Sequence, residues 1–387
     1  MRMPISLFVL ATLMTFSLPG IVGAFHEGGV NFCEGCHVIH KSPSGQIQDR
    51  NDSTIPMDLK GLDASSTCLR CHAQSGKFYN VLSNDGSTYS AGGDFYWLKK
   101  TFTWSANDKF YQSSGDNHGH NVVAAEYGLH QESMLNSAPG GIYSPSALGC
   151  TSCHDPHSRT VKDGYTGEIP VSDSYGEDLG IKITVGNYRL LGGIGYNGGA
   201  QAGGVTFNHP APVAVADAQN WVETNSNHTA YGSGMSEWCN NCHSDFLTGN
   251  GKHPVGNDAT LSSTFISNYN SYVKTGDITG TQATAYLALL PFESGTADKW
   301  SLDPSSTSGP AQGANLMCLT CHRAHASSFK DIGRWDFGTT FVADSHPRPG
   351  DGGATGNDMR NSYYGRDMVA EFGLYQRRLC NKCHLLD

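Results

Sequence analysis

All of the cysteines in this 387-residue chain lie in Cys-x-x-Cys pairs that are followed immediately by histidine. The 12 cysteines make six such motifs and leave no cysteine outside them. Two thiols at this spacing can each form a thioether with one vinyl group of the same haem, and the next histidine then becomes the proximal iron ligand. The predicted attachment residues are Cys33, Cys36, Cys68, Cys71, Cys150, Cys153, Cys239, Cys242, Cys318, Cys321, Cys380 and Cys383, and the predicted proximal ligands are His37, His72, His154, His243, His322 and His384.

Other uses of a cysteine pair do not explain the histidine. A zinc knuckle, a redox-active dithiol or a structural disulfide leaves the following residue unconstrained. Histidine occupies 17 of the 387 positions. Six chance matches would then have odds on the order of one in a hundred million. The motifs therefore predict six covalently bound haems c with their iron.

The N-terminus has the layout of a secretory signal peptide. Arg2 precedes an apolar run over about residues 5–18, and small residues end at Ala24. We expect residues 1–24 to be removed and residues 25–387 to form a single hexahaem domain without an integral membrane segment. The alternative is a retained membrane anchor, although the run is short for a bilayer. Export agrees with the haem prediction, because c-type haem is attached outside the cytoplasm.

The composition is unusual for a chain that folds around its own side chains. Hydrophobic residues make up 38% and glycine contributes 47 residues, whereas globular domains are usually about 45–50% apolar. The 17 Tyr, 16 Phe and 6 Trp argue against disorder. A large apolar cofactor resolves this conflict. The net charge of -10 argues against nucleic acid as a partner.

The supply of histidines favours an electron carrier over an enzyme. Beyond the six proximal residues the chain has eleven histidines, and six haems need at most six more ligands. An iron with two imidazole ligands has no open position for a substrate. A multihaem reductase with one open iron is the alternative, and the number of histidines is sufficient to close every iron.

Three histidines follow a proximal histidine by three residues, namely His40, His157 and His325. Two imidazoles from one local turn cannot reach opposite faces of one flat macrocycle, so the second must serve a different haem. These residues follow the first, third and fifth motifs, and this alternation indicates haems organised in pairs. The spacing therefore predicts all three as distal ligands.

The other distal ligands are less well determined by spacing. Candidates are His26 near the predicted mature N-terminus, His120 in a Gly-His-Asn turn and His253 before a proline. His118 is an equal alternative to His120 on these grounds. The remaining histidines fit better as surface or propionate-contacting residues: His130, His209, His228 and His346.

The segments between the motifs are long and rich in Gly, Ser, Asn, Asp and Thr. They predict a fold that is mostly irregular coil, with short α and 3-10 helices and minimal β structure, wrapped around a linear chain of six haems. Glycine clusters predict loops over 192–204 and 350–356. Helical periodicity predicts helices over 122–135, 281–290 and 367–379.

Long segments of the chain resemble the family of outer-surface hexahaem c-type cytochromes that polymerise into extracellular filaments, the cytochrome nanowires. The matching segments include FHEGGVNFCEGCHVIH, GGDFYWLKKTFTW, GHNVVA, CTSCHDPH, YRLLGG, YGSGMSEWCNNCH, GDITGTQATAYLALLPFESGTAD, CLTCHRAHAS and LCNKCH. The likeness runs from the predicted mature N-terminus to the C-terminus. Departures lie in the loop after His72 and over 335–361, which puts surface contacts and acceptor preference in doubt.

The resemblance implies six bis-histidine haems stacked as alternating parallel and perpendicular pairs. The distal ligands in the matching segments are His26, His40, His120, His157, His253 and His325, which selects His120 over His118. The resemblance also implies that His40 ligates the fifth haem, attached at Cys318 and Cys321, of a neighbouring subunit in a homopolymer.

The expected function is therefore extracellular electron transfer, after passage through the periplasm, along a conductive filament at the outer cell surface. Expected partners are redox partner cytochromes and extracellular acceptors such as metal oxides, electrodes or partner cells. The alternative is a monomeric periplasmic or outer-surface electron shuttle.

Overall fold

Short elements joined by irregular segments make up the chain. The computed structural model describes residues 33–38, 58–74, 79–156, 188–197, 205–217, 220–247 and 253–385. The α-helices in these ranges are α1 Cys33–Cys36, α2 Ala64–His72, α3 Met235–Cys239, α4 Ser263–Ser271, α5 Cys318–Cys321, α6 Asp358–Ser362 and α7 Met368–Phe372. None of the helices in the described ranges is long and apolar enough to cross a membrane.

The described strands form two-stranded antiparallel ribbons only. They are β1 His37–Val38 with β2 Asp58–Leu59, β3 Phe102–Ala106 with β4 Lys109–Ser113, and β5 Val213–Val215 with β6 Ala230–Ser233. The longest ribbon pairs Phe102 with Ser113 and closes through Asn107 and Asp108. Both turn residues have positive φ, 49° and 58°, which gives the strand-compatible twist of a two-residue hairpin loop.

Single-turn 3-10 helices supply much of the remaining regular structure. Those that matter for the cysteine motifs are Cys150–Ser152 and Leu379–Lys382. The predicted fold class, mostly coil with short helices and little β structure, is therefore confirmed. The loop predicted over 350–356 is confirmed as irregular chain, and the one over 192–204 is irregular as far as the structure describes it.

Two of the three predicted helices are wrong. Residues 122–135 contain only a 3-10 turn at Ala125–Tyr127, which ends at Gly128 with φ 68°. Residues 281–290 contain only the 3-10 turn Gln282–Thr284. Residues 287–290 are buried side by side rather than along one stripe, so their apolar character reflects burial of an irregular segment. The third region forms α7 but ends at Gly373, where φ is 88°.

The buried apolar side chains form three separate clusters. One surrounds Tyr269, Leu289 and Trp335 and contacts Cys321 and Cys383. A second surrounds Leu69, Phe95, Trp97 and Phe102. The third surrounds Tyr231, Met317 and Leu319 and contacts Cys239. Each cluster therefore lies beside predicted haem-attachment residues.

Candidate haem-binding sites

Helical turns present the cysteine pairs. Both cysteines of a motif lie within α1, within α2 and within α5. In the other three motifs only the first cysteine lies in a helical element: Cys150 in the 3-10 helix Cys150–Ser152, Cys239 at the end of α3 and Cys380 in the 3-10 helix Leu379–Lys382. Residues three apart lie on the same side of a helical turn. In α2 and α5 this geometry places both thiols of a pair on one side, as two thioether bonds to one macrocycle require.

Consecutive motifs lie next to each other in the order of the chain. The Cys68 and Cys150 thiols lie close enough to interact with each other, and so do those of Cys239 and Cys318. Neighbouring motifs are otherwise close enough for their thiols to interact electrostatically, through the pairs Cys36 with Cys68, Cys153 with Cys242, and Cys321 with Cys383. Each motif is thus adjacent to the next one along the sequence.

Backbone carbonyls orient the imidazoles. Nδ1 of the proximal residues His154, His243 and His322 donates to the carbonyls of Arg189, Pro139 and Asp331 at 2.7, 2.8 and 2.7 Å. The predicted distal ligand His120 donates in the same way to Ala324 at 2.7 Å. A proton fixed on Nδ1 leaves the lone pair on Nε2, which is the arrangement of a metal-ligating histidine.

Three predicted distal histidines lie opposite a proximal histidine. The ring centres are 6.0 Å apart for His120 and His243, 6.3 Å for His154 and His325, and 6.2 Å for His253 and His384. Two imidazoles on opposite sides of one metal ion have ring centres about 6 Å apart, since each metal–nitrogen bond is about 2 Å. The three separations therefore fit one iron per pair.

Burial keeps the imidazoles of His120, His154, His243 and His325 neutral. It lowers the pKa of His120 to about 4 and that of His325 to about 3. Burial also lowers the pKa of His154 and of His243. At neutral pH the rings are uncharged and carry the lone pair that iron needs.

His118 has a different environment from His120. It is fully buried, and its Nδ1 donates to the Trp97 carbonyl at 3.0 Å. Its Nε2 lies 2.7 Å from the Ser113 hydroxyl. Because both ring nitrogens are occupied by protein groups, His118 is a structural residue.

The other histidines outside the predicted ligand set lie in varied surroundings. His228 is buried and stacks on Tyr286, with ring centres 3.7 Å apart. His346 stacks on Trp104 and lies 2.6 Å from Asp351. His209 and His130 are partly buried and exposed, respectively. Of the predicted site residues, His26, His40, His157 and the Cys33 side chain lie outside the described residues, as does the predicted signal peptide.

The third and fifth motifs share one backbone framework. After His154, Asp155 N donates to Leu190 O, and Gly192 N donates to Cys153 O. After His322, Arg323 N donates to Ile332 O, and Arg334 N donates to Cys321 O. Two consecutive non-glycine residues with positive φ shape each returning segment, Arg189 and Leu190 in one and Asp331 and Ile332 in the other. The first motif has the equivalent bond from Lys60 N to Cys36 O.

The second and third motifs, counted along the chain, contact each other in the same way as the fourth and fifth. Ser65 Oγ accepts from Cys150 N at 3.0 Å, and Ser236 Oγ accepts from Cys318 N at 3.1 Å. Each serine lies three residues before the first cysteine of its own motif. The sites are therefore built from a repeated two-motif unit, which the sequence had indicated only through the alternating extra histidine.

Sequence reasoning missed two features of the sites. Gly92 lies against the His325 ring, where a Cβ would meet Nδ1 at 2.8 Å. In the core, Glu223 accepts from Arg323 at 2.9 Å and from Arg334 at 2.6 Å. Nη2 of both arginines is buried without a hydrogen-bond partner among the described residues. Such nitrogens fit an acidic group, and haem carries two propionates.

The chain is similar to a known c-type cytochrome along its whole length. No protein-family model matches the chain. The chain is 40% identical to the C-type cytochrome OmcS of Geobacter sulfurreducens over 431 aligned positions, which cover 100% of this chain and 99% of the relative.

Two solved structures are similar over most of the chain. They are the cryo-EM structure of the OmcS nanowires from Geobacter sulfurreducens, with TM-score 0.77, and the Outer Membrane Cytochrome S filament from the same organism, with TM-score 0.76. Each is 38% identical, and each match covers 94% of this chain and 100% of the other. The predicted fold of a multihaem cytochrome is thereby confirmed. The chain belongs to the OmcS family of c-type cytochromes.

Proposed function

We propose that this chain is an extracellular electron carrier that polymerises into a conductive filament and is not an enzyme. The observation that carries the proposal is the set of three proximal and distal histidine pairs, each spaced for one iron, on motifs that lie next to one another in chain order. Bound haem would supply the ferric–ferrous couple, and two imidazoles per iron leave no position for a substrate.

The protein would hold each haem through one cysteine pair, its proximal histidine and one distal histidine. His325 would ligate the third haem, His120 the fourth and His253 the sixth, and the ring separations support these pairings. The carbonyl-bound Nδ1 atoms of His120, His154, His243 and His322 would keep these rings turned toward iron. Nη2 of Arg323 and of Arg334 would neutralise propionates.

The repeated unit extends this assignment to the remaining sites. His325 follows the fifth motif but faces His154, the proximal histidine of the third motif. The extra histidine of a motif would therefore ligate the haem that is attached two motifs earlier. By the same step His157 would reach the first haem. His40 has no motif two places earlier in its own chain. In a polymer of six-motif subunits that place is the fifth motif of the preceding subunit. His26 then remains for the second haem.

This ligand exchange links assembly to iron coordination. The fifth haem would have both axial ligands only when a neighbour supplies His40. The resulting filament would carry electrons from partner cytochromes to metal oxides, electrodes or other cells. The similarity to filament structures of a relative supports this direction.

A substitution at His40 tests the proposal. We expect His40→Ala to retain six attached haems and to fail to form filaments, because the interface loses an iron–imidazole bond. The exposed His130 provides the control, and His130→Ala should assemble normally. Haem content, negative-stain electron microscopy and the high-spin fraction of the ferric spectrum are the measurements. Abundant normal filaments from His40→Ala would exclude the cross-subunit ligand, whereas discrete haem-loaded particles from the wild-type chain would favour the monomeric shuttle.

A further inference from the structure

We infer that Glu293 is a protonation site coupled to the redox state of the haems attached at Cys239 and Cys318. The inference rests on the proposed function, because it requires haem at the fourth and fifth motifs. It adds a proton to the electron transfer: the carboxylate of Glu293 takes up one proton from solvent when an adjacent site gains one electron.

Glu293 is buried, and only one of its two carboxyl oxygens accepts a hydrogen bond from the described residues. Its exposed fraction is 0%. Oε1 accepts from the backbone N of Met235, the first residue of α3, at 2.7 Å. Oε2 is buried and has no hydrogen-bond partner among the described residues. A carboxylate in such a place loses its hydration, whereas a carboxylic acid is neutral and can donate from Oε2.

The neighbouring side chains offer acceptors. Asn315 lies directly across an antiparallel bridge from Glu293, with N–O distances of 3.1 and 2.8 Å, so the two side chains project on the same side. Asn315 Oδ1 is buried without a partner, and so is Oε2 of Glu237. The other oxygen of Glu237 accepts from Asn257 N at 2.7 Å. A proton on Glu293 would supply the donor that this group of oxygens lacks.

The ionisable groups near Glu293 disfavour its negative charge. Glu237 and Cys239 face it from α3, Cys318 from α5, and Tyr231 lies beside it through a backbone bridge from β6. Burial, then Glu237 and then Cys318 raise the pKa of Glu293 to about 8. With thioethers in place of thiols, burial and Glu237 would remain as the causes.

The position of Glu293 determines whether haem reduction strengthens or weakens its proton binding. α3 and α5 carry Cys239 and Cys318, whose thiols lie close enough to interact, so both haems would attach close to this carboxyl group. Reduction removes one positive charge per haem. A loss of nearby positive charge raises the pKa of a carboxyl group. Glu293 would therefore bind its proton more tightly in the reduced protein, and between the two pKa values the reduction potential would fall as pH rises.

The test uses the haem-loaded full chain and two acid-to-amide variants. We compare Glu293→Gln with Glu371→Gln, in which the replaced carboxylate is partly exposed on α7. Redox-difference infrared spectra should contain a carboxylic acid carbonyl band that Glu293→Gln lacks and Glu371→Gln keeps. Proton uptake on full reduction, followed with a pH indicator between about pH 6 and 9, should fall by up to about one proton per chain only in Glu293→Gln.

The outcomes separate this inference from the proposed function. A chain without six haems or without low-spin spectra would refute the proposed function. Six low-spin haems with the same infrared bands and proton uptake in wild type and Glu293→Gln would overturn only the role of Glu293. If Glu293→Gln does not fold, Glu293→Asp provides the test. The shorter acid should keep the proton but shift the pH range of uptake, and an unshifted profile would overturn the inference.

Discussion

At the residue scale, two histidines only two positions apart have opposite roles. His118 directs its ring into the second apolar cluster, where it packs 5.6 Å from Phe102 and both nitrogens have protein partners. His120 donates one nitrogen to Ala324 O and turns the other side of its ring toward His243. The surroundings of the ring nitrogens, and not the residue type, determine which histidine is able to bind iron.

The two residues give a matched pair of substitutions. His120→Ala should keep six thioether-bound haems. It should open one axial position on the fourth haem, because His243 would then be the one histidine left to ligate that iron. We expect a high-spin component of about one haem in six in the ferric electron paramagnetic resonance spectrum. His118→Asn should leave the spectrum low-spin. A high-spin signal from His118→Asn alone would reverse the assignment.

At the element scale, helix ends position the motifs. α2 is among the longest described helices and carries Cys68, Cys71 and His72. Its N-cap Asp63 accepts from Ser66 N at 2.6 Å and, through its other oxygen, from Ala125 N at 2.9 Å. The same carboxylate therefore stabilises the helix and connects it to the segment that follows His120.

This double role predicts a larger effect than that of an ordinary cap. Asp63→Ala should lower the free energy of unfolding by about 2 kcal/mol, at the upper end for a lost N-cap. Ser262→Ala removes the N-cap of α4, where the Ser262 hydroxyl accepts from Phe265 N at 3.3 Å, and should cost about 1 kcal/mol or less. Denaturant titrations of both variants measure the difference. Equal losses would show that the bond to Ala125 contributes nothing.

At the scale of the whole molecule, an ion cluster connects distant parts of the chain. Glu223 accepts from Arg323 beside the fifth motif and from Arg334 in the segment that returns to it. Arg323 also stacks over Tyr364, 3.6 Å from the ring centre. All three charged residues are buried. Since a buried ion whose partner is removed is strongly unfavourable, this cluster should contribute to global stability.

We expect Glu223→Gln to destabilise the fold by about 3–5 kcal/mol at neutral pH. Glu371→Gln, which breaks the partly exposed pair with Arg366 at 4.0 Å, should cost less than about 1 kcal/mol. Burial alone would raise the pKa of Glu223, but Arg334 and Arg323 outweigh burial and hold it below its ordinary value. The stabilisation is therefore complete above about pH 4.5 and is lost as pH falls through the lower pKa of the folded state. Denaturant titrations across this range should show that the free energies of unfolding of the wild-type protein and of Glu223→Gln become equal in acid.

The sequence by itself determined the chemistry and the fold class. Thioether formation and proximal ligation depend on residues that are close along the chain, so spacing alone predicts six attachment sites. Low apolar content with many glycines predicts irregular structure because such segments lack an extended hydrophobic face. The extra histidine of the odd motifs also indicated pairing, since local geometry prevents it from serving its own haem.

Only the tertiary structure decided which distant residues meet. The pairing of His325 with His154 joins residues far apart in sequence, and His118 and His120 are separated only by what packs around their nitrogens. The segment 281–290 has apolar residues in the right number for a helix, yet burial on several sides replaces helical packing. The left-handed pairs at Arg189–Leu190 and Asp331–Ile332 carry no glycine signal. Long-range packing determines such features, and no local pattern in the sequence records it.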